Sequence, residues 1–112
     1  MQVIISARHT DLEDEVREHI EEQFQKLKRF EPRVSRSEVT VWEEGAACIV
    51  EAVLSIDGRA PVHATAEGDA FRSATDRLFD KLAKQLKRVR ARRRDHRGPP
   101  LEELLESEGG DE

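Results

Sequence analysis

Nine cations fall within seventeen positions of this chain: Lys81, Lys84, Lys87, Arg88, Arg90, Arg92, Arg93, Arg94 and Arg97. Such a cluster is suited to holding phosphate. A guanidinium grips it as a planar fork, an ammonium as a point charge, and both release the counterions condensed on a polyanion. The surrounding chain is acidic, with a net charge of −5 over 112 residues. Residues 1–71 carry a net −7, residues 72–97 a net +8 and residues 98–112 a net −6. The polarity between segments is therefore the signal, and the total conceals it. Relief of a helix macrodipole explains about two or three C-terminal cations. It leaves Arg92, Arg93 and Arg94 unexplained, because adjacent like charges repel. If about six of these side chains engage phosphates, affinity falls by roughly three decades between about 50 and 200 mM salt.

Other chemistries have a weaker footing. His9, His19, His63 and His96 are scattered and form no metal-ligand spacing. No glycine-rich phosphate loop or dinucleotide turn is present. Asp76 and Asp80 are spaced like a carboxylate pair on a helix, but Arg72, Arg77, Lys81 and Lys84 lie within i,i+4 reach, so local ion pairs explain them. Cys48 is the only cysteine, which excludes an intrachain disulfide, and its strand parity predicts an inert buried thiol. The expectation is a protein that is not an enzyme, with no cofactor, metal or small-molecule substrate. It should also be cytoplasmic, free of membrane segments, and monomeric when unbound. A composition of 37% hydrophobic and 38% charged residues predicts one small core under a heavily solvated surface.

The elements that must position the cations can be read from spacing. Gln2 to Ala7 is short and β-branched, a first strand with Val3, Ile5 and Ala7 on one face. Thr10 and Glu13 predict a capping box for a helix whose apolar stripe is Leu12, Val16, Ile20, Phe24 and Leu27, and which Pro32 stops. Its acidic residues crowd the first turn, while Lys26, Lys28 and Arg29 crowd the last. Three strands follow at about 37–44, 48–56 and 60–67, the middle one with Cys48, Val50, Ala52, Leu54 and Ile56 facing the core. Asp57-Gly58 is the stronger hairpin signal and Glu44-Gly45 the weaker. Asp69 is the predicted N-cap of a second helix reaching about Arg94, with Phe71, Ala74, Leu78, Leu82, Leu86 and Val89 on its apolar side and Arg77, Lys81, Lys84, Arg88 and Arg92 as a basic stripe. The fold class is therefore α+β: a two-layer β-α-β-β-β-α sandwich, with two helices on one face of a four-stranded sheet. Residues 1–95 form the binding domain, and residues 96–112 form an acidic tail expected to be disordered.

The missing features also narrow the mode of RNA recognition. The chain has no Tyr, and Trp42 alone among the aromatics lies in a strand, so an RRM stacking platform is absent; the G-x-x-G loop of a KH domain is absent too. What remains is a basic helix reading backbone and shape, as double-stranded RNA binders do. Trp42 is read as a partly exposed packing residue.

These residues resemble a known family. The stretch from His63 to Lys87, HATAEGDAFRSATDRLFDKLAKQLK, is similar to the last strand and second helix of ribosome hibernation-promoting factors, also called ribosome-associated inhibitor or sigma-54 modulation proteins. The opening MQVIIS, the helix segment VREHIEEQFQKLKR at 16–29 and VLSIDG at 53–58 extend the likeness over about residues 1–90. The resemblance implies a double-stranded RNA-binding-domain-like fold. It implies as partners the small ribosomal subunit and its 16S-type ribosomal RNA, bound at the decoding region, where messenger RNA and A- and P-site transfer RNA would otherwise lie. The implied function is inhibition of translation and protection of idle ribosomes under stress or in stationary phase. Basic positions that match are Lys26, Arg29, Lys81, Lys84 and Lys87; Arg88, Arg90 and Arg92 join them on charge alone.

The chain also departs from the family pattern. Gln23 stands where relatives often carry a cation, Phe71 replaces a frequent Tyr, and the hairpin Glu44-Gly45-Ala46-Ala47 lacks nearby basic residues. The extra C-terminal dimerisation domain of long-form factors is not expected, and the acidic tail is more like the subtype whose extension opposes ribosome pairing. The alternatives are a general binder of structured RNA and a basic helix that docks an acidic protein or the chain's own tail.

Overall fold

β-Branched residues set strand β1 (Gln2–Ala7), and the apolar stripe at helical spacing sets α1 (Asp14–Lys26), prolonged by a 3-10 turn, Leu27–Arg29. Strands β2 (Val34–Glu44), β3 (Ala47–Ile56) and β4 (Val62–Gly68) precede α2 (Phe71–Arg94). The computed structural model describes residues 1–94, with side chains through Val89; the expected tail at 96–112 lies outside the described residues. The sheet order is β1-β2-β3-β4, with β1 parallel to β2 and the remaining pairs antiparallel. This is the expected sandwich, built from a β-α-β crossover followed by a meander.

Alternation along the strands separates core from solvent. Val39, Val41, Val50, Ala52, Leu54 and Ile56 point into the layer of helices, where they meet Ile20, Phe24 and Leu27 from the first helix and its 3-10 turn, and Ala74, Leu78, Leu82 and Leu86 from α2. After Val62, the inward positions of β4 are the small residues Ala64, Ala66 and Gly68, all buried. They let α2 lie close to its own preceding strand. A Cβ at Gly68 would stand 2.7 Å from Ser73 Oγ and 2.9 Å from the backbone nitrogen of Ala74.

Several local expectations need correction. The capping box does not form: α1 starts at Asp14 with Glu13 as its N-cap, without a side-chain cap bond, so Thr10 falls outside the first turn. Asp69 is not the N-cap of α2, because the first helical bond runs from Ala74 N–H to the Ala70 carbonyl, 3.0 Å. Ser73 does the capping work from inside the helix, accepting the Ala70 N–H at 3.2 Å. The hairpin signals exchange rank. Gly45 (φ 59°) and Ala46 make the tight two-residue loop, while Gly58 (φ 77°) sits inside the longer connection between β3 and β4. Strand β2 begins at Val34 rather than at 37, β3 at Ala47 and β4 at Val62, so Pro61 stays just outside the ladder.

Cys48 is half-buried instead of buried, and burial together with the nearby carboxylates of Glu43 and Asp69 raises its thiol pKa. Cys48 is the second residue of β3, beside the loop that Gly45 and Ala46 make. Ile49 is instead the buried residue there, although it faces the open side of the sheet; it lies between Trp42 on β2 and Glu67 on β4.

Gly68→Ala should lower stability by about 1–3 kcal/mol through overpacking against α2. Gly45→Ala, with open space around the site, should lose only about 1–2 kcal/mol from its left-handed backbone. Urea denaturation of the two variants measures both, and a Gly68→Ala loss well under about 1 kcal/mol would contradict the close helix approach.

Candidate nucleic-acid interface

Helix direction assembles the site. The first helix follows β1 and the second follows β4, and topology makes those strands point the same way, so the helices run parallel. Side-chain contacts agree: near the helix starts, His19 meets Asp76 at 2.8 Å, and beyond the end of the first helix Phe30 meets Phe79 edge to face at 6.2 Å. The two C-terminal halves therefore share one end of the molecule. That end is doubly receptive to cations, because two macrodipoles point their negative poles into it.

Two basic rows meet there. On α1, His19, Gln23 and Lys26 follow at helical spacing along the side that faces α2, and Lys28 and Arg29 continue on the 3-10 turn. Lys87 of α2 closes on this row, its Nζ 5.2 Å from the centroid of the Phe30 ring. The second row is Arg77, Lys81, Lys84 and Arg88, at steps of four, three and four along the β4 side of α2. Lys26, Arg29, Lys81, Lys84 and Lys87 are exposed and Arg88 is half-buried. Arg90 and Arg92 lie on the helical backbone of α2, but their side chains fall outside the described residues.

Two of these side chains also have structural work. Arg77 donates to the Glu67 carbonyl at 2.8 Å and Lys81 to the Thr65 carbonyl at 2.6 Å, so the row begins as a clamp on the outer edge of β4. Reading from sequence found the stripe but not the clamp, since nothing in the spacing says where an edge strand presents its carbonyls. It also passed over Lys28, whose charge is the main cause, ahead of desolvation and a hydrogen bond, of the lowered pKa of the Met1 amino group. The charge of Lys28 is thus felt at the chain's N-terminus. The outer face of α1 is acidic along its length, carrying Asp14, Glu15, Glu18, Glu21 and Glu22.

Asp76 feels the local charge of Arg72, as expected, but its hydrogen bonds run across the helix seam. Its Oδ1 accepts from His19 Nε2 at 2.8 Å and from Gln23 Nε2 at 3.0 Å, tying one helix to the other. Burial acts to raise its pKa, but the bonds from His19 and Gln23 and the charges of His19 and Arg72 outweigh it, and the pKa is lowered. Gln23, the departure from the family pattern, is thereby accounted for as a helix tie. Trp42 lies on the open face of the sheet, half-buried beneath the Arg8 guanidinium at 4.9 Å from the ring centroid, which is a packing role. Among the described residues no group of three His, Cys, Asp or Glu is placed to hold a metal ion, and no helix is long and apolar enough to cross a membrane.

Comparison with known proteins gives this geometry relatives. Residues 3–94 match the profile of the family described as Sigma 54 modulation protein / S30EA ribosomal protein. The ribosome hibernation promoting factor of Salmonella typhimurium is 32% identical over 96 residues, which cover 86% of this chain and 100% of that protein. The ribosome hibernation promoting factor of Azotobacter vinelandii is 37% identical over 86 residues, 77% of this chain and 79% of that protein. In fold, the chain is similar to a ribosomal subunit interface protein from Coxiella burnetii, with a TM-score of 0.76 at 23% identity over 81% of this chain and 99% of that one. It is also similar to the N-terminal domain of Protein Y from Thermus thermophilus, with a TM-score of 0.72 at 23% identity over 80% and 99% of the two chains.

A lowered folded-state pKa means that Asp76 stabilises the protein above its ordinary value near 3.8 and stops doing so as pH falls through the lower folded value. Asp76→Asn should therefore be less stable than the parent at pH 6 to 7 by about 0.5–1 kcal/mol, a small figure because the carboxylate is 54% exposed. The difference should shrink below about pH 4. Urea titrations across that range test it, and a gap that persists at pH 2 would contradict the pairing.

Proposed function

We propose, because this chain belongs to the sigma 54 modulation protein / S30EA ribosomal protein family, that it is a ribosome hibernation factor. It acts in the cytoplasm by associating with ribosomes and holding them out of translation, as the names of its relatives suggest. In the finer form of this proposal, it binds the 16S-type ribosomal RNA of the small subunit at the decoding region. Messenger RNA and A- and P-site transfer RNA are then excluded by occupancy, with no bond made or broken, and idle ribosomes stay intact under stress. Residues 1–95 form the binding domain, with the acidic segment 96–112 outside it.

One observation carries this proposal: the parallel helices bring Lys26, Arg29, Lys84 and Lys87 to one end of an otherwise acidic molecule. Such an end holds a polyanionic backbone by phosphate contacts, which set affinity without requiring base readout. The edge-to-face Phe30–Phe79 contact and the Lys87 ammonium over Phe30 hold the two helices at a fixed separation, so the cations present a preformed surface. Lys81 contributes through its charge, although its ammonium already serves the β4 carbonyl; Arg88, Arg90 and Arg92 extend the surface along α2. The acidic outer face of α1 repels phosphate and orients the approach.

The test is binding to purified small subunits across a salt series, with an unrelated RNA duplex alongside. Affinity should fall by about three decades between about 50 and 200 mM salt if about six phosphates are engaged. Lys84→Ala should weaken binding and reduce the slope of the log–log plot by about 1. Equal affinity for the duplex would favour a general structured-RNA binder. Absence of the protein from the ribosomal fractions of a low-salt gradient would overturn the proposal.

A further inference from the structure

The chain supplies a counter-charge to its own basic end. Residues 101–112 read LEELLESEGGDE, with six acidic residues and no basic one. They follow α2, whose C-terminal half is one side of the basic surface. The eighteen residues 95–112 span at most about 60 Å when extended, against roughly 36 Å for the 24 residues of α2, so the acidic segment can reach every cation of that end. Tethering gives it an effective concentration on the order of millimolar, enough to occupy a weak complementary surface.

We infer that in the free protein the acidic segment 101–112 is the ligand of the basic end, lying over Lys84 and Lys87 of α2 and the neighbouring Lys26 and Arg29. Charge complementarity selects this occupant. A segment of net −6 is complementary to the cationic end where the helices finish, whereas the outer face of α1 is itself acidic. The contact has a functional consequence that rests on the function proposed above. RNA must displace the segment, so the segment lowers affinity for weak or short RNA more than for a ribosomal site that engages many cations at once, and it favours the large, rigid target.

The experiment uses the full chain and a full-length variant carrying Glu102→Gln, Glu103→Gln, Glu106→Gln and Glu108→Gln, which keeps length and fold while removing most of the charge. Two-dimensional NMR without RNA should show amide shifts confined to the neighbourhoods of Lys26 to Arg29 and Lys84 to Arg88 at about 50 mM salt. They should fade near 0.5 M, where screening shortens the range of charge to a few ångströms. Affinity for a short RNA duplex should rise on the order of threefold to tenfold at about 50 mM salt. No shift at the basic end would overturn the inference whatever the RNA result. Shifts at that end, with neither protein binding small subunits, would uphold the contact and overturn the proposed function.

Discussion

The direction of two helices governs this molecule. Each helix returns antiparallel to the strand before it, and because β1, β2 and β4 point the same way, the returns are parallel. A four-stranded sheet with one apolar face leaves the helices a single place to lie, and the buried stripe of each locks its rotation. Once those constraints are met, the charge pattern along each helix becomes a charge pattern of the whole molecule. The first turn of α1 is acidic and its last turn basic, while α2 has no acidic residue in its first turn, so what adds across the two helices is the positive charge where both finish.

Packing at the helix seam holds the basic rows together. Along the body of α1, the bonds from His19 and Gln23 to Asp76 use polar groups to hold the helices together; beyond its end, Phe30 and Phe79 do so with rings, and Lys87 covers the aromatic face. The cation over the ring thus stands where the basic rows meet.

Much of this was legible in the sequence because periodicity reports burial. Leu78, Leu82 and Leu86, and Val50, Ala52 and Leu54, announce their element and its inner face without help from any partner. What was not legible depends on atoms distant in the chain. Asp76 finds His19 across the helix seam, 57 positions away, whereas local spacing offered it arginines and lysines nearby. Cys48 obeys the right parity but is only half-buried, beside the loop that Gly45 and Ala46 make. Thr10 and Asp69 look like caps, yet neither helix starts where they would serve it, because tertiary packing decides the first turn. The cationic run was plain from composition. Its partition into a row against the first helix and a row along β4 required the fold.

The clamp on β4 gives Lys81 and Arg77 a second meaning. An edge strand with bare carbonyls is a template on which another chain can add itself, and these two side chains occupy those acceptors. In the proposed function, protection of the edge and phosphate contact would therefore share residues. A polyanion drawing the Lys81 ammonium away would uncover part of that edge at the moment of docking, and a substitution meant to remove a phosphate contact would also remove a guard against self-association. Lys81 and Arg77 would then answer to two unrelated demands, one made by the proposed polyanion and one by the protein's need to remain a separate particle.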